Sequence, residues 1–269
     1  MPLTAEQLRE AGLAAAGTLP AADALCRLHR GATPPPPFAG VLVAVFPYYA
    51  GTAEGNLSLY ARGRDYHLVA RERLETAAVA LGLQGRVLVD SSPFDEVGLA
   101  VDAGLGNIGQ NGLLVSAEFG SFCFVGTLLT EQALPHLSAG LTPGCTGCGA
   151  CVAACPTDAL EPGHGPDEAR CLSAITQLRR VEGEQALLLE QASLVWGCDT
   201  CQLCCPANRG LAVTSDPAFS QELLHSLEPQ ELDGLSDSAF RRRYGERAFS
   251  WRGIAPLRRN LHLRGKNDA

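Results

Sequence analysis

The sequence has no apolar run close to the roughly 20 residues that a membrane-spanning helix needs. Residues 1–13 carry acidic side chains and no basic region ahead of an apolar stretch, so they do not match a secretory signal peptide. We therefore expect a cytoplasmic protein that makes no membrane contact. In that reducing compartment, clustered cysteines are more often metal ligands or redox groups than disulfides.

Basic side chains are scarce over most of the chain. Residues 1–240 contain 12 basic and 27 acidic side chains, a net charge of -15, whereas residues 241–269 contain 9 basic and 2 acidic ones, a net charge of +7. Lysine and arginine release counterions from a polyanion, which favours the binding of nucleic acid. The segment 241–269 is thus predicted to be a phosphate-binding surface, with a solvated tail as the alternative.

The length of 269 residues allows two domains, and the first 140 residues predict an α/β domain. A continuous apolar, β-branched run at residues 41–46 is typical of a strand buried on both faces. Apolar residues at helical spacing predict an amphipathic helix over residues 65–83. Further elements are predicted at residues 3–16 (a helix with Thr4 as its N-cap), 86–90, 113–116 and 122–129 (strands).

Asp90 ends the predicted strand 86–90. In open α/β sheets ligands bind beyond the carboxyl ends of the strands, so an aspartate at this position is a candidate functional group. The alternative is that Asp90, which precedes Ser91-Ser92-Pro93, caps a turn, and the local sequence alone favours this alternative.

A glycine-rich stretch follows, in which Gly104-Leu-Gly106-Asn-Ile-Gly109 matches the letters of the dinucleotide-binding pattern G-x-G-x-x-G. The stretch does not open a helix directly after a predicted strand, so it lacks the setting of that motif. Glycines also let the backbone approach a ligand closely, and a loop lying against a flat or bulky cofactor is therefore a second interpretation.

Residues 144–206 hold nine of the eleven cysteines. The first run has the spacing C-x2-C-x2-C-x3-C-P, which bacterial ferredoxins use to bind iron-sulfur clusters. The second run, residues 198–206, has the similar spacing C-x2-C-x2-C-C-P and also ends in Cys-Pro. Zinc is the alternative metal, because paired C-x2-C motifs also bind it. We predict a ferredoxin-like domain with two 4Fe-4S clusters over residues 141–215, followed by a short helical, basic C-terminal segment over residues 216–269.

Two 4Fe-4S clusters require eight ligands, so one of the nine cysteines is surplus. In ferredoxins the cysteine before the proline crosses to the other cluster. This rule predicts Cys145, Cys148, Cys151 and Cys205 for one cluster. It predicts Cys155, Cys198 and Cys201 for the other cluster, with either Cys171 or Cys204 as the fourth ligand, and spacing alone leaves that choice open.

Over roughly residues 41–260 the chain resembles the epoxyqueuosine reductase family, cobalamin-dependent iron-sulfur enzymes that perform the last step in making queuosine in transfer RNA. The residues that carry the resemblance are Tyr60–His67, Val89–Pro93, Gly104–Gly109, Gly120–Phe122, the first cysteine run, Cys171, Gly197–Asn208, Phe240–Tyr244 and Arg259-Asn260.

The resemblance implies roles for particular residues. It selects Cys171 as the eighth ligand and leaves Cys204 as the surplus cysteine. It implies that Asp90 stands over the cobalamin and donates a proton to the departing epoxide oxygen, with a pKa raised by shielding. The implied cobalamin contacts are Gly106, Ile108, Gly109, Leu114, Val115, Ser116 and Gly126.

The resemblance further implies a monomer that takes electrons from a flavodoxin or ferredoxin and binds transfer RNA, here through the basic C-terminal segment. The chain departs from the family at Asn107 and Gln110, where members usually have tryptophan and lysine, and at Thr127, where they have glutamate. It also stops before the helical repeats that many members add. The alternatives are a corrinoid iron-sulfur reductase with another substrate and a ferredoxin-like electron carrier without cobalamin.

Overall fold

The computed structural model describes residues 3–163 and 165–267, so the last two residues of the predicted basic segment lie outside the described residues. The chain divides into two compact units. Unit 1 comprises residues 1–47, 66–109 and 113–146, and unit 2 comprises residues 48–65, 110–112 and 147–269. The predicted three-part division at residues 140 and 215 stays a prediction. No helix of the described ranges combines the length and apolar character needed to cross a membrane.

Unit 1 contains a four-stranded sheet with helices. Its elements are α1 (Ala5–Glu10), β1 (Ala15–Pro20), α2 (Ala21–Leu25), β2 (Gly40–Pro47), α3 (Tyr66–Leu81), β3 (Gly85–Leu88), α4 (Glu96–Asp102), β4 (Asn107–Ile108), β5 (Leu114–Val115) and β6 (Cys123–Thr130). The four-stranded sheet has the order β1-β2-β6-β3, while β4 and β5 form a separate two-stranded hairpin.

The mixed helix and strand content that the sequence predicts is confirmed, but neighbouring strands of the large sheet all pair antiparallel. The longest ladder joins β2 to β6 over eight residues. The predicted strand at residues 41–46 is buried along its whole length, as expected, because helices cover both faces of the sheet. Helix α4 packs with Val43 and Leu129 on one face, and Leu74 of α3 reaches Gly126 on the other.

The prediction of one helix over residues 3–16 is wrong in its second half. Helix α1 begins after Thr4, whose side chain caps it as predicted, but it ends at Glu10. Residues 15–20 form the edge strand β1, which pairs with β2 from Ala15 to Pro20. Tertiary pairing therefore overrides the helical preference of the alanines.

Unit 2 is built from short helices joined by loops. Its helices are α5 (Ala150–Ala154), α6 (Leu172–Ile175), α7 (Glu184–Glu190), α8 (Thr200–Leu203), α9 (Pro217–Ser220), α10 (Pro229–Leu232), α11 (Asp237–Tyr244) and α12 (Ile254–Asn267). The helical character predicted for residues 216–269 agrees with helices α9 to α12.

Gly106 shapes the β4–β5 hairpin. Its φ of +143° is a backbone conformation that residues with side chains rarely adopt, and a Cβ at this position would lie 2.5 Å from the carbonyl oxygen of Val115. We expect Gly106→Ala to destabilise the protein by about 1–3 kcal/mol because it adds both strain and a clash. Denaturant unfolding measures the change.

Gly165→Ala is the matched control, since a Cβ there meets no atom within 4 Å. Equal unfolding midpoints for the two variants would show that the hairpin does not require glycine at position 106.

Candidate functional site

Asp90 lies in unit 1, between the end of β3 and the start of α4. Its φ of 61° is left-handed, which is unfavourable for a residue with a Cβ. The backbone N–H of Asp90 donates a hydrogen bond of 2.9 Å to Oε2 of Glu96, the first residue of α4. This contact stabilises the unusual conformation and so fixes the direction in which the Asp90 side chain points.

The carboxylate of Asp90 contacts two side chains in the first turn of α3. Its Oδ2 accepts a hydrogen bond of 3.0 Å from the Tyr66 hydroxyl and lies 3.3 Å from Nε2 of His67. The Tyr66 ring stacks on Phe124, with centroids 4.2 Å apart, and this packing holds the hydroxyl in place. The positive end of the α3 dipole also favours a negative charge here.

The raised pKa expected for Asp90 shielded by a corrin stays a prediction, whereas in the free protein the pKa of Asp90 is lowered. The hydrogen bond with His67 is the largest influence and, together with the Tyr66 hydroxyl, it lowers the pKa of Asp90 despite partial desolvation. The side chain is 64% exposed, so water also solvates the charge. Asp90 is therefore a carboxylate at neutral pH when no ligand covers it.

Glu96 is a candidate functional residue that the sequence analysis missed. Burial raises the pKa of Glu96 to about 7, and the nearby negative charge of Asp90 acts in the same direction. Its Oε1 is buried and has no hydrogen-bond partner among the described residues. The sequence signal was only that of a glutamate at a helix start, which ordinarily indicates no more than a favourable interaction with the helix dipole.

The structure brings most of the predicted cobalamin contacts together on or beside the β4–β5 hairpin. Ile108 is 48% exposed there, whereas the side chains of Leu114, Val115 and Ser116 are buried. Gly126 lies apart, within β6, where Leu74 and Phe46 occupy the space a Cβ would need. The members on or beside the hairpin are Gly106, Ile108, Gly109, Leu114, Val115 and Ser116.

Asn107 connects this hairpin to the first cysteine run. Its side chain donates to the carbonyl oxygen of Cys145 at 2.9 Å and accepts from the backbone N–H of Cys145 at 3.0 Å. Both hydrogen-bonding groups of the amide are thus used. Asn107, which stands where family members usually have tryptophan, therefore holds the backbone of Cys145, the first predicted cluster ligand.

The cysteines of unit 2 lie in two neighbouring groups. The thiol of Cys171 interacts electrostatically with those of Cys155 and Cys198, and Cys201 interacts with Cys198, Cys171 and Cys151. We call Cys155, Cys171, Cys198 and Cys201 the second cysteine group. The other group surrounds Cys204, whose thiol interacts with Cys151, Cys205 and Cys148. Cys145, the remaining cysteine of the first run, belongs to unit 1.

Backbone N–H groups point at two sulfur atoms of the second cysteine group. The N–H of Ala159 donates to Sγ of Cys155 at 3.3 Å. Cys171 precedes helix α6, and its sulfur interacts with the N–H groups of Ser173 and Ala174. Hydrogen bonds to sulfur are a common means by which proteins tune iron-sulfur clusters.

The basic C-terminal segment is largely part of the fold, so the alternative of a solvated tail is wrong for its described residues. Phe240, Tyr244 and Phe249 are buried. The guanidinium groups of four arginines have partners within unit 2. Three of them donate hydrogen bonds to backbone carbonyl oxygens, and the fourth forms an ion pair with a glutamate. They are Arg247 (to Arg62 and Glu222), Arg258 (to Leu232 and Leu235), Arg259 (to Leu178 and Thr176) and Arg243 (to Glu231).

Glu96→Gln tests the protonation of the buried carboxyl group. Wild-type stability from Glu96 is fully present below its ordinary pKa of 4.5 and is lost as the pH rises through about 7, because the folded chain holds this proton more tightly than the unfolded chain. Glutamine keeps an oxygen for the Asp90 N–H but has no proton to lose. We therefore expect the variant to gain stability over the wild type as the pH rises from 5 to 8.

Thermal unfolding at several pH values measures this difference. Glu10→Gln, at an exposed glutamate of α1, serves as the control and should show no such trend. A difference between wild type and Glu96→Gln that does not change with pH would contradict the assignment.

Two family models match the chain. Residues 36–91 match the family described as epoxyqueuosine reductase QueG, DUF1730, and residues 144–208 match the 4Fe-4S double cluster binding domain. The first match includes Tyr66, His67 and Asp90, and the second includes all nine clustered cysteines. The prediction of a double 4Fe-4S domain is therefore confirmed, and the zinc alternative is rejected.

Curated relatives share substantial identity with the chain. The epoxyqueuosine reductase of Lactococcus garvieae is 36% identical over 213 residues, which cover 77% of this chain and 60% of the relative. That of Escherichia coli is 39% identical over 196 residues, which cover 69% of this chain and 50% of the relative. The chain thus spans about half to three fifths of the length of these relatives.

Solved structures share the fold. A crystal structure of epoxyqueuosine reductase with an epoxyqueuosine-modified tRNA-Tyr stem loop matches with a TM-score of 0.80 at 22% identity, covering 96% of this chain and 78% of that one. The enzyme from Streptococcus thermophilus matches with a TM-score of 0.76 at 24% identity, with coverage of 96% and 78%. The chain is thus similar in sequence to epoxyqueuosine reductases over most of its length, and it shares their fold.

Proposed function

We propose that the chain reduces epoxyqueuosine in transfer RNA to queuosine. The observation that carries the proposal is the carboxylate of Asp90, which Tyr66 and His67 hold in place in a chain whose residues 144–208 match a double-cluster domain. Conversion of an epoxide to an alkene consumes electrons and protonates the departing oxygen. The cysteine motifs supply a route for electrons, and Asp90 with its neighbours supplies groups that handle protons.

Asp90 must take up a proton before it donates one, because it is ionised in the free protein. The Tyr66 hydroxyl and His67 Nε2 lie within 3.3 Å of its Oδ2. A ligand that covers the exposed side chain would remove water and favour the neutral acid. In our proposal Asp90 then protonates the epoxide oxygen, while His67 and Tyr66 orient the carboxyl group and exchange protons with it.

Cobalamin is the proposed cofactor, and the residues of unit 1 fit it in part. Ile108 offers exposed apolar surface on the hairpin, and Asp90 is exposed as a polar group. Four of the other predicted contacts are buried, so their side chains do not form the surface that would contact cobalamin. Only their backbone groups, or their packing beneath that surface, would contribute; they are Leu114, Val115, Ser116 and Gly126. When bound and reduced, cobalamin would supply the low-potential electron chemistry that opens the epoxide.

The ligand sets are proposed as the sequence predicts them. One cluster takes Cys145, Cys148, Cys151 and Cys205, and the other takes the second cysteine group. The second set is supported by Cys171, which interacts with Cys155, Cys198 and Cys201, whereas Cys204 interacts with cysteines proposed for the other cluster.

Transfer RNA is the proposed substrate carrier and partner. The relative solved with a modified stem loop supports this proposal. Of the basic C-terminal segment, Arg241 and Arg242 are the best placed for phosphate, since both are exposed and neither guanidinium group has an ion-pair or hydrogen-bond partner among the described residues. We further propose a cytoplasmic monomer that is reduced by a flavodoxin or ferredoxin.

Asp90→Asn is expected to lower turnover of epoxyqueuosine in transfer RNA by about 100-fold or more, because asparagine has no acidic proton to donate. Anaerobic assays with reconstituted clusters, cobalamin and a reductant measure the rate. Asp23→Asn, at an exposed position of α2, is the matched control. A near-normal rate for Asp90→Asn would assign Asp90 to a turn cap instead.

Cobalamin binding is measured in the same preparation from its absorption bands. A chain with full clusters and bound cobalamin that leaves epoxyqueuosine unchanged would indicate a corrinoid reductase with another substrate. A chain with full clusters that binds no cobalamin would indicate an electron carrier.

Cys171→Ser and Cys204→Ser form a matched pair for the ligand assignment. We expect Cys171→Ser to lose roughly half of the bound iron and sulfide, since one of two clusters lacks a thiolate, and Cys204→Ser to keep them. Iron and sulfide analysis of anaerobically reconstituted protein gives the answer. Loss in Cys204→Ser with retention in Cys171→Ser would reverse the assignment.

A further inference from the structure

Four basic and aromatic side chains of unit 2 have no part in the proposed reaction. They belong to two short segments that are connected by the hydrogen bond between Trp251 and Gln177. We call Arg179, Arg180, Trp251 and Arg252 the arginine–tryptophan surface. Trp251 is 55% exposed, which is unusual for so large an apolar side chain, and the guanidinium carbon of Arg252 lies 3.8 Å from the centre of its ring. Arg179 and Arg180 are exposed and have no side-chain partner within the described ranges.

Hydrogen bonds hold the indole in one orientation. Nε1 of Trp251 donates to Oε1 of Gln177 at 3.2 Å. The amide of Gln177 in turn donates to the carbonyl oxygen of Ser173 at 2.8 Å and to the Tyr60 hydroxyl at 3.3 Å. Both ends of the Gln177 amide are therefore engaged. An exposed aromatic side chain fixed in this way is pre-organised for binding, because little further conformational entropy is lost.

The same contacts lead to the second cysteine group. Ser173 lies two residues after Cys171, on the helix that begins at this cysteine. The ring of Tyr60 lies against Gly197, the residue before Cys198, with 3.0 Å between Cε1 and the position of a Cβ. The arginine–tryptophan surface is thus joined through Gln177 to the segment that carries Cys171, and through Gln177 and Tyr60 to the segment that carries Cys198.

The charge of this surface contrasts with that of the surrounding chain. Residues 1–240 carry a net charge of -15, and Arg179 and Arg180 are two of the exposed arginines there that have no acidic partner among the described residues. Glu184 is paired with Arg170 at 2.9 Å, and the exposed Glu182 lies two residues after Arg180. Unpaired positive charge around a rigid aromatic side chain attracts and orients an acidic partner.

We propose that the arginine–tryptophan surface is the docking site of a small acidic electron-donor protein of the flavodoxin or ferredoxin type, which passes electrons to the cluster held by the second cysteine group. The inference rests on the proposed function in that the clusters must be reduced during turnover. Each transfer oxidises the donor by one electron and reduces the cluster by one, and no bond forms or breaks.

The residue types favour a protein partner over RNA. Tryptophan and arginine are the residues most enriched at the centres of protein interfaces, where they contribute most of the binding free energy. Redox partners typically form small interfaces, below about 1,200 Å², so a few such residues are sufficient for a transient complex. The connection to cysteine-bearing segments gives an electron donor a reason to bind here, whereas stacking of a nucleobase would need no such connection.

Stopped-flow reduction of the full chain with reconstituted clusters tests the proposal. A reduced flavodoxin is the protein donor, dithionite is the small-molecule donor, and bleaching of the cluster absorption is the signal. We expect Trp251→Ala and Arg179→Glu/Arg180→Glu each to lower the second-order rate constant with flavodoxin at least 10-fold at low salt. The rate with dithionite should stay unchanged, because dithionite needs no docking surface.

Arg9→Glu/Arg30→Glu is the matched control, since it makes the same change in net charge at exposed positions of unit 1 and should reduce normally. Unchanged flavodoxin rates in both test variants would overturn the proposal, as would an equal slowing with dithionite in both. Weaker binding of a transfer-RNA stem loop with unchanged flavodoxin rates would assign the surface to RNA. The assay contains neither cobalamin nor epoxyqueuosine, so its outcome is independent of the proposed substrate.

Discussion

Four thiolates must meet at each 4Fe-4S cluster, and the architecture of unit 2 follows from this requirement. Its helices α5, α6 and α8 contain only four or five residues, and each begins or ends close to a predicted ligand. Such short helices contribute little stability by themselves. Buried polar contacts hold the loops instead: Asp199, between Cys198 and Cys201, is 4% exposed and accepts hydrogen bonds from the Ser58 hydroxyl and the Leu59 N–H. The carboxylate of Asp199, which is not a proposed cluster ligand, thus holds the loop between Cys198 and Cys201 in place.

The sequence predicted the elements of unit 1 best where periodicity was long or burial was complete. The helix predicted at residues 65–83 and the strand predicted at 41–46 lie within about two residues of α3 and β2. Strand β1 could not be predicted, because Ala15-Ala-Gly-Thr-Leu-Pro20 has little intrinsic strand preference and becomes a strand only through its pairing with β2. The antiparallel order likewise depends on which strands meet, and local residue patterns do not contain that information.

Charge counts identified the basic segment but not the use of its arginines. A count treats each arginine as free, whereas the guanidinium groups of Arg247, Arg258 and Arg259 donate to backbone carbonyl groups of neighbouring loops. Arginine suits this role because its several donors satisfy acceptors that would otherwise be buried without partners. Positive charge available to a partner therefore has to be judged from exposure and pairing. Among the described residues this criterion includes the arginines at positions 179, 180, 241 and 242, together with those at 9, 30, 86 and 209.

The candidate site contains two carboxyl groups whose surroundings move their pKa values in opposite directions. Hydrogen bonds lower the pKa of Asp90, and burial raises that of Glu96 to about 7. The two shifts are coupled, because the charge on Asp90 favours the protonated form of Glu96. Pairs of this kind are typical of sites in which one group carries charge and the other carries a proton. The motif indicated Asp90 from sequence, but the environment that distinguishes the two carboxyl groups exists only once α3, β3 and α4 are assembled.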